Sequence, residues 1–84
     1  MIIYSVPAHN VKVGIVVGKK VGNSVIRSRV KRRIGERFRL LIPKIKENRN
    51  FVIVAKSESA ESTSEVFERD IIYLLKKIGV LAEE

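Results

Sequence analysis

The 84-residue chain contains no cysteine, no tryptophan and a single histidine. Without cysteine it has no disulfide framework and no thiolate metal site, as is typical of proteins in a reducing cytosol. His9 has no second histidine as a partner for acid–base catalysis or metal binding. No apolar run approaches the roughly 18 residues of a membrane-spanning helix, and no basic N-terminal stretch indicates a secretory signal. We therefore expect a cytoplasmic protein without catalytic or metal-binding side chains.

Acidic residues are also scarce, and the imbalance is concentrated in one stretch. The chain has 17 Lys and Arg against 9 Asp and Glu, a formal net charge of +8. Nine of these bases but only one acid, Glu36, lie within residues 18–39, so nine less one gives this stretch +8 by itself. Positive charge gathered on one element of an otherwise neutral domain indicates a polyanion such as RNA as the partner. A solvated helix face is the alternative interpretation, which so lopsided a stretch makes the weaker one.

The spacing of apolar residues predicts that this basic stretch is a helix. An apolar residue recurs every three or four positions along one side, at Ile26, Val30, Ile34, Phe38 and Leu41. Asn23 or Ser24 is the predicted N-cap. The helix should end near Ile42, because Pro43 disfavours helical geometry in the residue before it. The side opposite the apolar stripe carries arginines, whose planar guanidinium groups match phosphate oxygens.

The remaining segments predict three strands and a second helix. Residues 2–6 and 11–17 are rich in β-formers and flank the turn-forming residues 7–10, which is typical of an antiparallel hairpin. Residues 51–56 are almost continuously apolar and predict an interior strand covered on both faces, or nearly so. A capping box, Ser62-x-x-Glu65, starts the second helix.

The second helix should bury one apolar stripe and end at a glycine. The stripe consists of Phe67, Ile71, Leu74, Leu75 and Ile78. Gly79 is the predicted C′ residue. Glu61, Glu65 and Glu68 could share a face that holds Mg²⁺, although acids at this position more often serve the cap and the helix dipole.

These segments give the order β-β-α-β-α in a single domain of residues 1–84. The fold class is α/β (α+β), a small two-layer sandwich with a β-α-β crossover through the basic helix. A chain this short has room for one hydrophobic core.

Residues 13–32, VGIVVGKKVGNSVIRSRVKR, closely resemble the signature of the bacterial ribonuclease P protein subunit. That signature runs through a Gly-Ile strand, a Lys-Lys pair, a Gly-Asn-Ala-Val step and Arg-Asn-Arg-x-Lys-Arg. The later strand and the helix ending in Leu-Leu-Lys-Lys-x-Gly are also similar, so the resemblance covers about residues 2–81.

The resemblance implies a protein that binds a large catalytic RNA and assists removal of 5′ leaders from precursor tRNA. The RNA would carry out the hydrolysis and hold most of the Mg²⁺, so no catalytic or metal-binding residue is expected on the protein. The basic helix would face the RNA, and a cleft on the sheet would receive the leader. Tyr4 is the candidate for stacking on a leader base. The crossover would be left-handed, against the usual rule.

Charge and resemblance together define the candidate RNA-binding residues. They are Lys19, Lys20, Asn23, Arg27, Ser28, Arg29, Lys31, Arg32, Arg33 and Arg37.

Three features depart from the family pattern. Ser28 replaces the central Asn of Arg-Asn-Arg, and Gly35 stands where the family usually has Arg. Family members begin with a basic helix that forms one wall of the leader cleft, whereas Met1 here opens almost directly into the first strand. We therefore expect a family member shortened at the N-terminus, which binds the catalytic RNA but discriminates little between precursors with and without a leader. Its uncovered sheet face should favour a partner or self-association.

Two other functions remain open. A stand-alone RNA-binding module would share the fold but not the role in the holoenzyme. A basic amphipathic helix could instead bind an anionic membrane. The membrane interpretation is the weaker one, because so small a domain needs the apolar stripe of that helix for its core.

Overall fold

The computed structural model describes residues 1–81. In chain order the elements are β1 (Ile2–Pro7), β2 (Lys12–Val17), α1 (Ser24–Leu41), β3 (Arg49–Ala55) and α2 (Ser64–Ile78). Short 3₁₀ turns precede α1, follow it, and follow β3, at Lys19–Val21, Ile42–Lys44 and Ser57–Glu61. The predicted order β-β-α-β-α is confirmed. In the described part of the chain, neither helix combines the length and the apolarity needed to cross a bilayer.

The three strands form one sheet in the order β1-β3-β2, with β3 in the centre. β1 is antiparallel to β3 and β2 is parallel to it. The predicted hairpin between β1 and β2 is therefore wrong, because β3 lies between them and pairs with both. The turn after β1 is held instead by Asn48, the residue directly before β3. Asn48 accepts a hydrogen bond from the Ala8 N–H (3.1 Å), and its side-chain amide donates to the His9 carbonyl (2.9 Å).

β2 and β3 are parallel neighbours joined through α1, which confirms the predicted β-α-β crossover. The hand of the crossover stays a prediction. Only one face of β3 is buried: Phe51, Ile53 and Ala55 face the helices, whereas Val52 on the other face is 40% exposed. The prediction that β3 is an interior strand is confirmed. The prediction that both of its faces are covered, or nearly so, is wrong, because its apolar run contributes to a helix-covered face and to an open one.

The core lies between the sheet and the two helices. α1 contributes the buried side chains Val30, Ile34, Phe38 and Leu41, and α2 contributes Phe67, Ile71 and Leu75. Ile26, at the start of the predicted stripe on α1, is half-buried. Burying each side chain of this size contributes about 1.5–3 kcal/mol. The apolar side of α1 is thus committed to the core, which turns its polar side outward.

Both ends of α2 have side-chain or backbone caps. Thr63 is the N-cap, and its hydroxyl oxygen accepts from the Val66 N–H (3.3 Å). The hydroxyl of Ser62 donates instead to the Glu58 carbonyl of the preceding turn (3.3 Å). The predicted Ser62–Glu65 capping box is therefore wrong by one residue. The prediction for Gly79 is confirmed, because it has a left-handed φ of 95° and its N–H donates to carbonyls of the last turn.

Candidate nucleic-acid interface

The basic stretch begins with two exposed lysines and a helix cap. Lys19 and Lys20 lie in the 3₁₀ turn before α1. Asn23 is the N-cap, and its Oδ1 accepts from the Ile26 N–H (3.0 Å). Of the two residues predicted as the N-cap, Asn23 and Ser24, the structure has Asn23 in that position. Asn23 is exposed, so its side-chain NH₂ group, which the capping bond does not use, can donate to a partner.

The polar surface of α1 divides into three strips. The first, the α2 strip, consists of Arg33 and Arg37, which face the second helix. Arg33 donates to the Ser62 carbonyl (3.2 Å). Arg37 lies 3.9 Å from both Glu65 and Glu68. These two arginines, predicted to bind RNA, therefore already connect α1 to the start of α2, and their RNA contacts stay a prediction.

The second strip, the outer strip, consists of Ser28, Arg32 and Glu36. Ser28 is exposed, and the Arg32 side chain is 67% exposed. Arg32 Nε lies 3.9 Å from the Glu36 carboxylate, one helical turn away. An exposed pair of this length contributes about 0–1 kcal/mol at most. Arg32 can therefore exchange Glu36 for a phosphate at little cost.

Arg27 and Arg29, on either side of the outer strip, are half-buried. The Nε of each is shielded from solvent and has no hydrogen-bond partner within residues 1–81. An N–H group that is desolvated but unbonded costs about 1–3 kcal/mol. An acceptor oxygen from a bound partner would relieve that cost, which a phosphate can do.

The third strip, the β2 strip, consists of Arg27, Lys31, Gly35 and Arg39. These residues recur every four positions, so they form one row along the helix. With β2 they line a groove, the β2–α1 groove, whose apolar side chains come from Val13, Ile15 and Val17 of β2 and from Ile42 after α1.

Lys56 extends the basic surface beyond the predicted residues. Lys19, Lys20 and Lys56 line one shallow depression at the carboxyl ends of the parallel strands β2 and β3. Crevices at such strand ends are common ligand sites. Sequence reasoning missed Lys56, and also Arg39 as part of the β2 strip. For Lys56, the available signal was a basic residue at the end of a predicted apolar strand.

The acids of α2 have roles in its first turn. The pKa of Glu65 lies below its ordinary value of 4.5, because the carboxylate accepts its own backbone N–H and the Thr63 hydroxyl, with Arg37 nearby. Within the part of the chain that the structure describes, no three His, Cys, Asp or Glu side chains are placed to hold a metal ion. Glu65 and Glu68 pair with Arg37 instead.

Comparison with known proteins gives these observations a family. A family model described as Ribonuclease P matches residues 1–79. The ribonuclease P protein component of Clostridium novyi is 49% identical over 69 residues, which are 82% of this chain and 61% of that protein. That of Alkaliphilus metalliredigens is 41% identical over 71 residues, 84% of this chain and 64% of that protein. The chain belongs to the ribonuclease P protein family.

Solved structures of ribonuclease P proteins share the fold. The Staphylococcus aureus RNase P protein has a TM-score of 0.82 and 25% identity, covering 95% of this chain and 75% of that one. The Thermotoga maritima protein has a TM-score of 0.79 at 21% identity, covering 89% and 74%. The chain spans only about three fifths of the length of its curated relatives, 61% and 64% for the two named above.

Two departures from the ribonuclease P family pattern now have a location. Ser28 lies on the exposed outer strip, where its shorter side chain reaches less far than Asn. Gly35 lies in the β2 strip. A Cβ added there would lie 3.4 Å from Cδ1 of Ile15. The helix therefore approaches the strand closely at this glycine.

The sheet face opposite the helices is apolar and open. Its exposed large side chains are Tyr4, Val6, Val16 and Val52. Tyr4 pairs in register with Val52, which pairs with Gly14. The tyrosine ring, which is 58% exposed, therefore lies next to residues with smaller side chains. Stacking of Tyr4 on a leader base, and association of two chains through this face, stay predictions.

Proposed function

We propose that this chain acts as the protein subunit of ribonuclease P and binds the catalytic RNA through the outward side of α1. The proposal rests on which Lys and Arg side chains of the basic stretch have no ion-pair partner in the described part of the chain. Of the nine in residues 18–39, Arg37 pairs with α2 and Arg32 pairs loosely with Glu36. No ion-pair partner within residues 1–81 approaches Lys19, Lys20, Arg27, Arg29, Lys31 or Arg39.

This arrangement suits phosphate binding rather than self-neutralisation. Each Lys or Arg side chain that contacts a phosphate releases counterions from the RNA, so binding should weaken as the salt concentration rises. The slope of log K against log salt should be about −0.7 to −0.9 for each phosphate contacted. The buried stripe of α1 holds these side chains at fixed positions relative to the sheet. Several phosphates of a folded RNA can therefore be bound at once, and little conformational entropy of the helix is lost on binding.

We propose that the 5′ leader of precursor tRNA crosses the open sheet face. Tyr4 is the aromatic side chain placed to stack on one leader base, and such a stack contributes about 1–3 kcal/mol. The neighbouring Val52 and Gly14 leave room for a base beside the ring.

The protein's part in cleavage is binding and orientation. We propose that Mg²⁺ is held by the RNA, where it would supply an activated water for hydrolysis of the phosphodiester. The basic strips would neutralise RNA phosphates and so lower the Mg²⁺ concentration that the folded complex needs.

Recovery and sequencing of the RNA bound to the tagged chain in cells tests the proposal. A single large structured RNA should dominate, and Lys31→Gln with Arg32→Gln should reduce its recovery. The matched control is Lys76→Gln with Lys77→Gln, which removes the same charge from the end of α2. A broad mixture of RNAs would favour the stand-alone RNA-binding module instead.

A further inference from the structure

The β2–α1 groove combines an apolar floor with a basic rim. One part of it is lined by Val13, Ile15, Lys31, Arg32, Gly35, Glu36, Arg39 and Ile42. Beyond Ile15 and Lys31 it continues past Val17 and Arg27. β2 is an edge strand, so the groove is open on the side away from β3.

Gly35 is what exposes the floor of this groove. Every other member of the β2 strip has a long cationic side chain, and Gly35 leaves a gap between Lys31 and Arg39. Ile15 lies directly across the gap, 3.4 Å from where a Cβ would be. Val13 and Ile15 are both only half-buried, so apolar surface remains accessible beside the glycine.

The charges around the gap favour a nucleotide as occupant. Lys31, Arg32 and Arg39 line it with one acid, Glu36, so the rim has a net charge of three less one, or +2. Arg32 is the partner of that acid, which leaves Lys31 and Arg39 for an anion. A nucleobase is flat and apolar on its faces, and the ribose that carries it has a backbone phosphate on each side. RNA-binding proteins commonly enclose such unstacked bases.

We propose that the gap at Gly35 binds one unstacked base of the RNA partner. The base packs on Val13 and Ile15, and its flanking phosphates contact Lys31 and Arg39. This inference rests on the proposed function, because it names a further contact with the same RNA. It also gives Gly35 a positive role where the family pattern usually has Arg.

Methyl NMR spectra of the intact chain test the proposal directly. The probes are a single-stranded RNA decamer of mixed sequence and the duplex of the same sequence. The methyl resonances of Val13 and Ile15 should shift through the ring current of a bound base on addition of the single strand, and much less with the duplex. Unshifted Val13 and Ile15 methyls at saturating single strand would overturn the proposal, whatever the variants do.

Two substitutions fill the gap to different extents. Gly35→Leu should weaken binding of the single strand by about tenfold, within the range for loss of one base stack. Gly35→Ala, which adds one carbon, should weaken it less. Gly35→Ala should also raise the melting temperature, because glycine within a helix costs about 1 kcal/mol relative to alanine. The larger Leu side chain must displace Ile15, which lies only 3.4 Å from the Cβ position, so Gly35→Leu should gain less stability or lose some. Tighter binding by Gly35→Leu than by the wild type would contradict the base pocket.

The two proposals fail in different ways. If RNA binding keeps its salt dependence while the Val13 and Ile15 methyls stay unshifted, the base pocket is wrong and the basic helix keeps its function. If no salt-dependent binding of any RNA occurs, the proposed function is wrong and the base pocket with it.

Discussion

The ring of Phe38 on α1 lies 5.4 Å from the ring of Phe51 on the central strand, at an angle of 60°. Both side chains are buried, at 0% and 1% exposure. A tilted pair of this kind contributes about 0.5–1.5 kcal/mol beyond area burial. This contact helps to fix how α1 is rotated on the sheet, and so which of its side chains face outward.

Phe38→Ala should therefore lower the free energy of unfolding by about 3–5 kcal/mol. Domains of this size are stable by only about 5–15 kcal/mol, so RNA binding should weaken as the fold is lost. Leu40→Ala is the control, since Leu40 is exposed on the same helix and its loss should cost little. Urea unfolding measures both. Equal losses would mean that the core does not orient α1 in this way.

Loss of two charges should have different effects at Lys31 and Arg32, which are exposed, and at Arg33 and Arg37, which form the α2 strip. Lys31→Ala with Arg32→Ala should reduce the slope of log K against log salt for RNA binding by about one to two. Arg33→Ala with Arg37→Ala should change this slope less, because those side chains contact α2. The Arg33, Arg37 double variant should instead lower the melting temperature, because it loses the Arg33 hydrogen bond to the Ser62 carbonyl and the Arg37 ion pairs, and an exposed ion pair contributes about 0.2–1 kcal/mol. An equal reduction in slope would place Arg33 and Arg37 at the RNA.

Asn23 has two separable roles, cap and candidate RNA contact. Asn23→Ala removes the cap and should cost about 1 kcal/mol of stability. Asn23→Asp preserves the cap, since Asp and Asn are about equally good there, but places a negative charge beside Lys19 and Lys20. It should keep the melting temperature and weaken RNA binding. If Asn23→Asp binds RNA as well as the wild type, Asn23 lies outside the interface.

Glu65 should make the free energy of unfolding depend on pH in the acidic range. Because its pKa is lower in the folded chain than the ordinary 4.5, its contribution is fully present above pH 4.5 and is lost as the pH falls through the lower folded value. Glu65→Gln should therefore reduce the urea midpoint near neutral pH, and the difference from the wild type should shrink below pH 4.5. A difference that is constant across this range would show that the carboxylate charge contributes nothing.

The sequence predicted those parts of the fold that local patterns determine. The stripe of α1, its cap at Asn23 and its end before Pro43 follow from spacing and side-chain chemistry within one segment. The position of β3 between β1 and β2 does not, because the turn after β1 indicates a reversal of the chain and not its partner. The open face of β3 was missed for a related reason, since an apolar run does not reveal which face the helices cover.

The concentration of positive charge at the candidate site could be predicted from the sequence, but the arrangement of the charged side chains in space could not. Seven of the nine basic residues lie on α1 and two, Lys19 and Lys20, lie in the turn before it. Which of the seven face α2, β2 or solvent depends on where those elements lie. Arg33 and Arg37 therefore look the same as Arg32 until the contacts with Ser62 and Glu65 are known. Lys56 is far from the basic stretch in sequence and joins Lys19 only because β2 and β3 are parallel neighbours.

Cleavage of precursor tRNA by the cognate catalytic RNA, at a Mg²⁺ concentration too low for the RNA alone, tests the central claim most directly. The assay compares the reaction without protein, with this chain, and with the Lys31→Gln, Arg32→Gln variant. The chain should restore accurate cleavage at the end of the 5′ leader, and the variant should need more protein or less salt to do so. If the chain binds the RNA but leaves cleavage at low Mg²⁺ unchanged, its assignment as an active subunit of ribonuclease P is contradicted.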